Sequence, residues 1–225
     1  MKVMLLSIKP KWLCKILNGE KIREVRKMLP YDYRGLVFVY CSKASNANDY
    51  LVYNPNNKKF ELISKDLVLG DELNGKVCAI FNCDEVTAYK CEFWEEQLWG
   101  KDSCYQGISA LPDYPDEDGD SYDINTDNQY YSEEDLRNYS KFINETCLTL
   151  EELKQYLGVG DRTFFAMKIS NVRVFKNPKE LTQLHSYDMC TSQPAKLSLH
   201  NPPQNYCYVY YDVSLQWEAC THAIA

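Results

Sequence analysis

Polar and apolar positions change their spacing several times along this chain, and each change marks an element. Met1–Lys9 contains the apolar run Val3-Met4-Leu5-Leu6 and reads as a strand. Pro10 cannot continue the pairing but suits the first turn of a helix. Over Pro10–Asn18, the residues Trp12, Leu13, Ile16 and Leu17 recur at helical spacing on one face, and Gly19 supplies a left-handed cap. Lys21–Met28 is extended, with Glu24 and Arg26 on one side and Arg23 and Val25 on the other. Leu36–Cys41 is apolar throughout, as expected of a strand buried on both faces. Tyr50–Val52 and Phe60–Ile63, joined through Asn54-Pro55-Asn56-Asn57, predict a hairpin, and Lys76–Tyr89 a further long strand.

Between about Glu92 and Asn144 the rhythm breaks into prolines, glycines and acidic residues, which predicts a loop insertion. Regular structure resumes at Leu148. Thr149 and Glu152 have capping-box spacing, Leu148 and Leu153 are placed for a hydrophobic staple, and Gly158 ends the helix. Thr163–Phe175 is strand-like, but its apolar phase slips between Ile169 and Val172, predicting a bulge or bend. Tyr206–Val213 is the last strand, and Tyr206, Tyr208, Tyr210 and Tyr211 read as a strand with one face in the core. Many short strands with two short helices predict an α+β, mostly β fold: a small β-barrel with short helices at its ends and an acidic loop insertion.

Length and composition narrow the setting. At 225 residues the chain suits a single domain, 1–225, carrying its insertion at about 92–146. The opening apolar run is too short for a signal peptide or a membrane span, so a soluble, cytoplasmic protein is expected, with no membrane partner. Ten cysteines without a single CxxC pair read as reduced thiols. His185, Cys190, His200 and Cys207 match no compact zinc spacing, so no metal and no cofactor is expected. Cys78 and Cys83 stand an odd number apart in a strand, which points them to opposite faces.

Charge is unevenly spread beneath the net −7. Residues 1–43 hold seven lysines and three arginines against Glu20, Glu24 and Asp32, a local excess of +7. No basic residue lies between Lys101 and Arg137, a stretch holding Asp102, Asp113, Asp116, Glu117, Asp118, Asp120, Asp123, Asp127, Glu133, Glu134 and Asp135. A basic face with an acidic arm is expected, and a charge run of this kind is also what a solvated loop carries.

The candidate chemistry lies in Gly19-Glu20-Lys21-Ile22-Arg23-Glu24-Val25-Arg26, which puts a lysine, a carboxylate and a guanidinium just past a helix cap. As a binding site, Arg26 offers a planar fork and Lys21 a point charge to phosphate or a base carbonyl. Glu24 would accept from an exocyclic amino group, with nearby aromatic rings stacking on the base. As a catalytic site, Lys21 would act as base or nucleophile once desolvation and Arg26 lower its pKa, and Glu24 would shuttle the proton. The plainer alternative is an ion pair of Glu24 and Arg26 that ties the barrel end shut.

Together with Leu5–Pro10, Ile16–Lys21 and Glu24–Lys27, this stretch resembles the ASCH domain of the PUA-like superfamily. That family's G-x-K-x-x-E-x-R is matched at Gly19, Lys21, Glu24 and Arg26. Gly35–Cys41 and Thr149–Leu157 are similar to a following strand and a later helix, and Pro203–Val209 to the closing strand of larger, phage-type members. The resemblance implies a PUA-like barrel whose cleft is lined by these residues, with single-stranded RNA or a modified nucleoside as ligand. Lys21, Glu24, Arg26, Arg23 and Lys9 are then the candidate ligand-binding residues, and Lys21 and Glu24 the candidate catalytic ones. Some ASCH proteins cleave single-stranded RNA, and a small branch hydrolyses N4-acetylcytidine. That branch carries Thr where Glu24 stands, so its hydroxyl nucleophile is missing here, and its further catalytic Glu falls near Glu145 or Thr146. A third reading makes the acidic segment a nucleic-acid mimic that occupies a groove on a basic protein partner.

Overall fold

The computed structural model describes residues 1–93, 106–110, 133–158, 160–212 and 219–220. Its centre is β1 (Lys2–Ile8), parallel to β3 (Gly35–Cys41) with Met4 opposite Val37 and Ile8 opposite Cys41. Each face of this pair is covered. Met4, Leu6, Ile8, Val37 and Val39 enter one core cluster with Leu13, Ile16 and Leu17 of α1 (Pro10–Leu17). Val3, Leu5, Phe38 and Tyr40 enter a second with Phe175, Leu181, Leu184 and Val209. Burial on both faces is why these strands are written as unbroken apolar runs.

The chain between β1 and β3 forms α1 and β2 (Arg23–Arg26). Helix α1 begins with its proline, and the chain leaves it through Gly19 at φ 74°, a conformation that favours glycine. The predicted hairpin is present as β4 (Tyr50–Asn54) and β5 (Lys59–Ile63), a separate two-stranded sheet. It is fastened to the end of α1. Asn18 donates from Nδ2 to the Phe60 carbonyl and accepts the Phe60 N–H at Oδ1, both at 2.9 Å.

Strand β6 (Lys76–Phe93) pairs with β3 on one edge and with β8 (Gly160–Glu180) on the other. The ten-stranded sheet follows the order β10–β9–β11–β1–β3–β6–β8–β12, with β2 on β8 and β7 (Gln106–Ala110) on β6. Here β9 is His185–Tyr187, β10 Pro194–Ser198, β11 Tyr206–Tyr210 and β12 Ala219–Cys220. The fold is thus α+β and mostly β. In β11, Val209 is buried while Tyr206 and Tyr208 pack against the larger cluster.

The phase slip anticipated in β8 is a bulge. Asn82 faces Ser170, Ile80 faces Arg173, and Asn171 between them takes φ 51°. A register shift between Val77 and Ala79 has a less expected effect: Cys78 and Cys83 both enter the same core cluster, not opposite faces. Alternation fails because the extra residue of a bulge resets it.

The stretch 92–146, expected to be a loop insertion, contains β7 and the helix α2 (Glu133–Thr146), so the described residues hold three α-helices where the sequence predicts two. Glu133, Glu134 and Asp135 open α2, at the end where the helix dipole favours negative charge. The end of the acidic run is therefore a helix start. Phe142 of α2 is buried against Leu148, Leu153, Phe164 and Ala166 in a third cluster. The acidic positions before Glu133 lie outside the described residues. Helix α3 (Leu150–Leu157) follows with the predicted capping box: Thr149 Oγ1 accepts the Glu152 N–H at 3.1 Å, and the Glu152 carboxylate accepts the Thr149 N–H at 3.0 Å.

Replacing Asn18 with alanine leaves both Phe60 backbone groups unpartnered by that side chain. Asn18→Ala is expected to cost about 1–3 kcal/mol, read as a lower urea midpoint with unchanged slope.

Candidate functional site

Past α1, the Glu20 and Lys21 amides both donate to the Lys15 carbonyl, at 2.9 and 3.1 Å. This wrap, made possible by Gly19, brings Lys21 to the base of β2. Strand β2 runs antiparallel to β8, with Glu24 opposite Met167 and Arg26 opposite Phe165. Val25 enters the third core cluster, while Arg23 is only half-buried.

Lys21, Glu24 and Arg26 are brought together, and all three are buried: 2%, 6% and 7% exposed. Glu24 lies between the two cations. Its Oε2 is 3.5 Å from Lys21 Nζ, and its Oε1 is 3.0 Å from Arg26 Nη2. The Lys21 ammonium donates to the Thr146 carbonyl at 2.7 Å, and Arg26 Nη2 to the Ser7 carbonyl at 2.7 Å. Arg26 Nε is buried and has no hydrogen-bond partner among the described residues. Two cations against one carboxylate leave a buried excess of one positive charge. Burial pushes the Lys21 pKa down, against the Glu24 carboxylate that holds it up; Arg26 adds a smaller downward push.

Aromatic rings from two helices border the triad. Lys21 Nζ is 5.5 Å from the centre of the Trp12 ring on α1. Tyr156 on α3 lies close enough for Arg26 and Glu24 to act on its phenol, whose pKa burial pushes up, and its oxygen accepts the Lys27 N–H. Lys27 in turn sits 5.3 Å over the Tyr156 ring. Lys11 and Glu152 form an ion pair that joins α1 to α3.

Arg23 and Lys9 are placed elsewhere. Arg23 bonds Glu145 Oε2 through Nε at 2.6 Å, with Glu85 at 3.6 Å from Nη1. Lys9 is exposed at the N-cap of α1, and no contact among the described residues joins its ammonium to the triad. Glu145 and Thr146, near which the resemblance puts a further catalytic Glu, touch the motif through their backbone carbonyls. The Ile22 N–H donates to the Glu145 carbonyl at 2.9 Å, and Cys147, at φ 53°, donates from Sγ to the Glu20 carbonyl at 3.2 Å. Residues 20–23 are thus laced to 145–147.

Trp12, Tyr156 and the carbonyls of Ser7 and Thr146 border the triad without a signal in the motif itself. Trp12 belongs to an apolar helical stripe, and Tyr156 lies beside Leu157 on a helix whose sequence reads as core packing. Backbone carbonyls leave no trace in residue type. Burial pushes the Cys14, Cys83 and Cys207 thiols up to about 11 and Cys78 to about 12, which disfavours the thiolate at those four positions. Among the described residues there is no cluster of three or more His, Cys, Asp or Glu able to hold a metal, and no helix long and apolar enough to cross a membrane.

No family model matches the chain, and no curated protein matches it. Among solved structures it is similar to the ASCH protein of Zymomonas mobilis, with a TM-score of 0.46 and 10% identity over 92% of this chain and 87% of that one. A tyrosine-to-phenylalanine variant of that protein gives 0.45 and 10% over 93% and 91%, and a serine-to-alanine variant 0.43 and 11% over 92% and 88%.

Two outcomes follow from the buried triad. Glu24→Gln leaves two cations without their carboxylate, and the variant is expected to lose about 3–5 kcal/mol in denaturant unfolding. Lys21 holds its proton less tightly folded than unfolded, so its burial penalty is complete at neutral pH and is relieved as pH rises toward the ordinary lysine value. The stability of wild type relative to Lys21→Met is therefore expected to increase between pH 7 and 10; urea midpoints across that range that run parallel would refute the buried ammonium.

Proposed function

We propose that this chain is an ASCH-like, PUA-like module that binds single-stranded RNA, or a single modified nucleoside, at Lys21, Glu24 and Arg26. The observation that carries this reading is the buried triad with its excess positive charge and its unused Arg26 Nε. Buried ion pairs contribute little to stability compared with apolar packing, and perturbed groups of this kind gather at functional sites. A phosphate would supply the missing negative charge, and a base carbonyl an acceptor for the unused donor. Arg26 offers its Nε edge, Lys21 its point charge, and Glu24 accepts from an amino group of the base. Exposed Lys9, Lys11 and Lys27 add phosphate-neutralising charge around the site. The net −7 of the whole chain disfavours tight nonspecific binding to duplex DNA, which depends on many phosphate contacts.

A second reading uses the same residues for hydrolysis of RNA or of a modified cytidine, and the depressed pKa of Lys21 favours it. A lysine desolvated in this way serves as base or nucleophile, with Glu24 at 3.5 Å as its proton partner.

One incubation separates the two. Purified wild type and Lys21→Met are mixed with single-stranded RNA containing N4-acetylcytidine, and bound, free and product RNA are resolved by mass. Intact RNA retained by wild type and released about tenfold more readily by Lys21→Met is the expected result, in line with losing one charge-assisted contact. Shortened strands, or loss of an acetyl group, with wild type alone would replace binding by catalysis. RNA retained by neither protein would overturn both readings.

A further inference from the structure

We propose that Trp12 is the platform on which one base of a bound single strand stacks, and that Lys11 is the side chain the base displaces. The inference rests on the RNA-binding reading above and adds the residue that would recognise the base. Trp12 joins the interior of the site to its surface. The ammonium of Lys21, 2% exposed, and that of Lys11, whose side chain is 53% exposed, lie 5.5 and 4.5 Å from the centre of this one ring. Its orientation is set by packing: Trp12 is half-buried and touches both the cluster beneath α1 and the cluster shared by α2 and α3. A ring held in that way is pre-organised to receive a flat ligand.

Lys11 covers the ring only weakly. An exposed cation over an aromatic face is a modest interaction, and its ion pair with Glu152 is exposed as well. A stacked base gains more from the same face, and every base has such a face. A base seated on Trp12 would share that ring with Lys21, whose ammonium is 5.5 Å from its centre, and so would join the surface to the buried triad. Lys11, turned off the ring, remains close enough to meet the adjoining phosphate.

The test compares a cytidine hexaribonucleotide with a six-unit abasic ribose-phosphate strand, on wild type, Trp12→Phe and Trp12→Met. Phenylalanine keeps a flat ring, and methionine fills volume without one. Trp12→Met is expected to weaken the hexamer about tenfold or more and Trp12→Phe within about threefold, while the abasic strand binds all three alike. Unchanged hexamer affinity in Trp12→Met, or an equal loss for both strands, would overturn the stacking role and leave the RNA-binding reading standing. Failure of wild type to bind the hexamer would overturn both. Should Trp12→Met not fold, a hexamer with one 2-aminopurine decides: its emission is expected to be quenched more by wild type than by Trp12→Phe, and equal quenching refutes the proposal.

Discussion

The carboxylate of Glu24 is the group on which this architecture turns. Among the described residues it alone pairs with both the ammonium of Lys21 and the guanidinium of Arg26, all three removed from water. Without it, two like charges would share a low-dielectric space, held among the described residues by the Thr146 and Ser7 carbonyls and, for Lys21, by the Trp12 ring. The two carbonyls matter most for the chain. Each of those carbonyls belongs to a different element: Thr146 ends α2, and Ser7 lies in β1. The charged cluster therefore ties the central strand, the edge strand β2 and the end of α2 to one point. The same contacts that gather these residues also organise the surrounding chain.

Around that point the support is layered. Gly19 lets the backbone wrap onto the Lys15 carbonyl, and Arg23 draws Glu145 toward β2 from the other side. Lys11 and Glu152 bridge α1 and α3, and Glu152 serves at once as capping residue and ion-pair partner. Asn18 fastens the β4–β5 hairpin to the same end of α1. Few of these contacts are strong individually. Their effect lies in restricting the triad to one arrangement, the kind of pre-organisation that would lower the ordering cost of the binding proposed above.

Much of this was readable from local pattern. The apolar run at Leu36–Cys41, the turn at Asn54–Asn57, the Thr149–Glu152 box and the phase slip after Ile169 each carry a mechanism that needs only neighbours in sequence. The assembly of Lys21, Glu24 and Arg26 was legible for the same reason, since helix cap and strand alternation suffice to gather them. What escaped depends on distant chain. Glu133–Asp135 look like a solvated charge run until the helix they open is seen packing Phe142 into the core. Cys78 and Cys83 share a face because of a bulge set by the partner strand. The depth of burial of the triad comes from α1, α2 and α3 together, and no single segment encodes it.

The position of β1 has a consequence for how the chain comes off the ribosome. Its edges are taken by β3 and by β11, and Lys2 pairs with Tyr210. The first partner follows within a few dozen residues, whereas β11 begins only at Tyr206, long after β3 ends at Cys41. Until then the central strand has an open hydrogen-bonding edge, and Val3 and Leu5 lack the cover of Val209. Such an edge pairs readily with another nascent strand. The open edge of β1 is therefore a hazard of the unfinished chain and not of the finished fold, where β11 covers it.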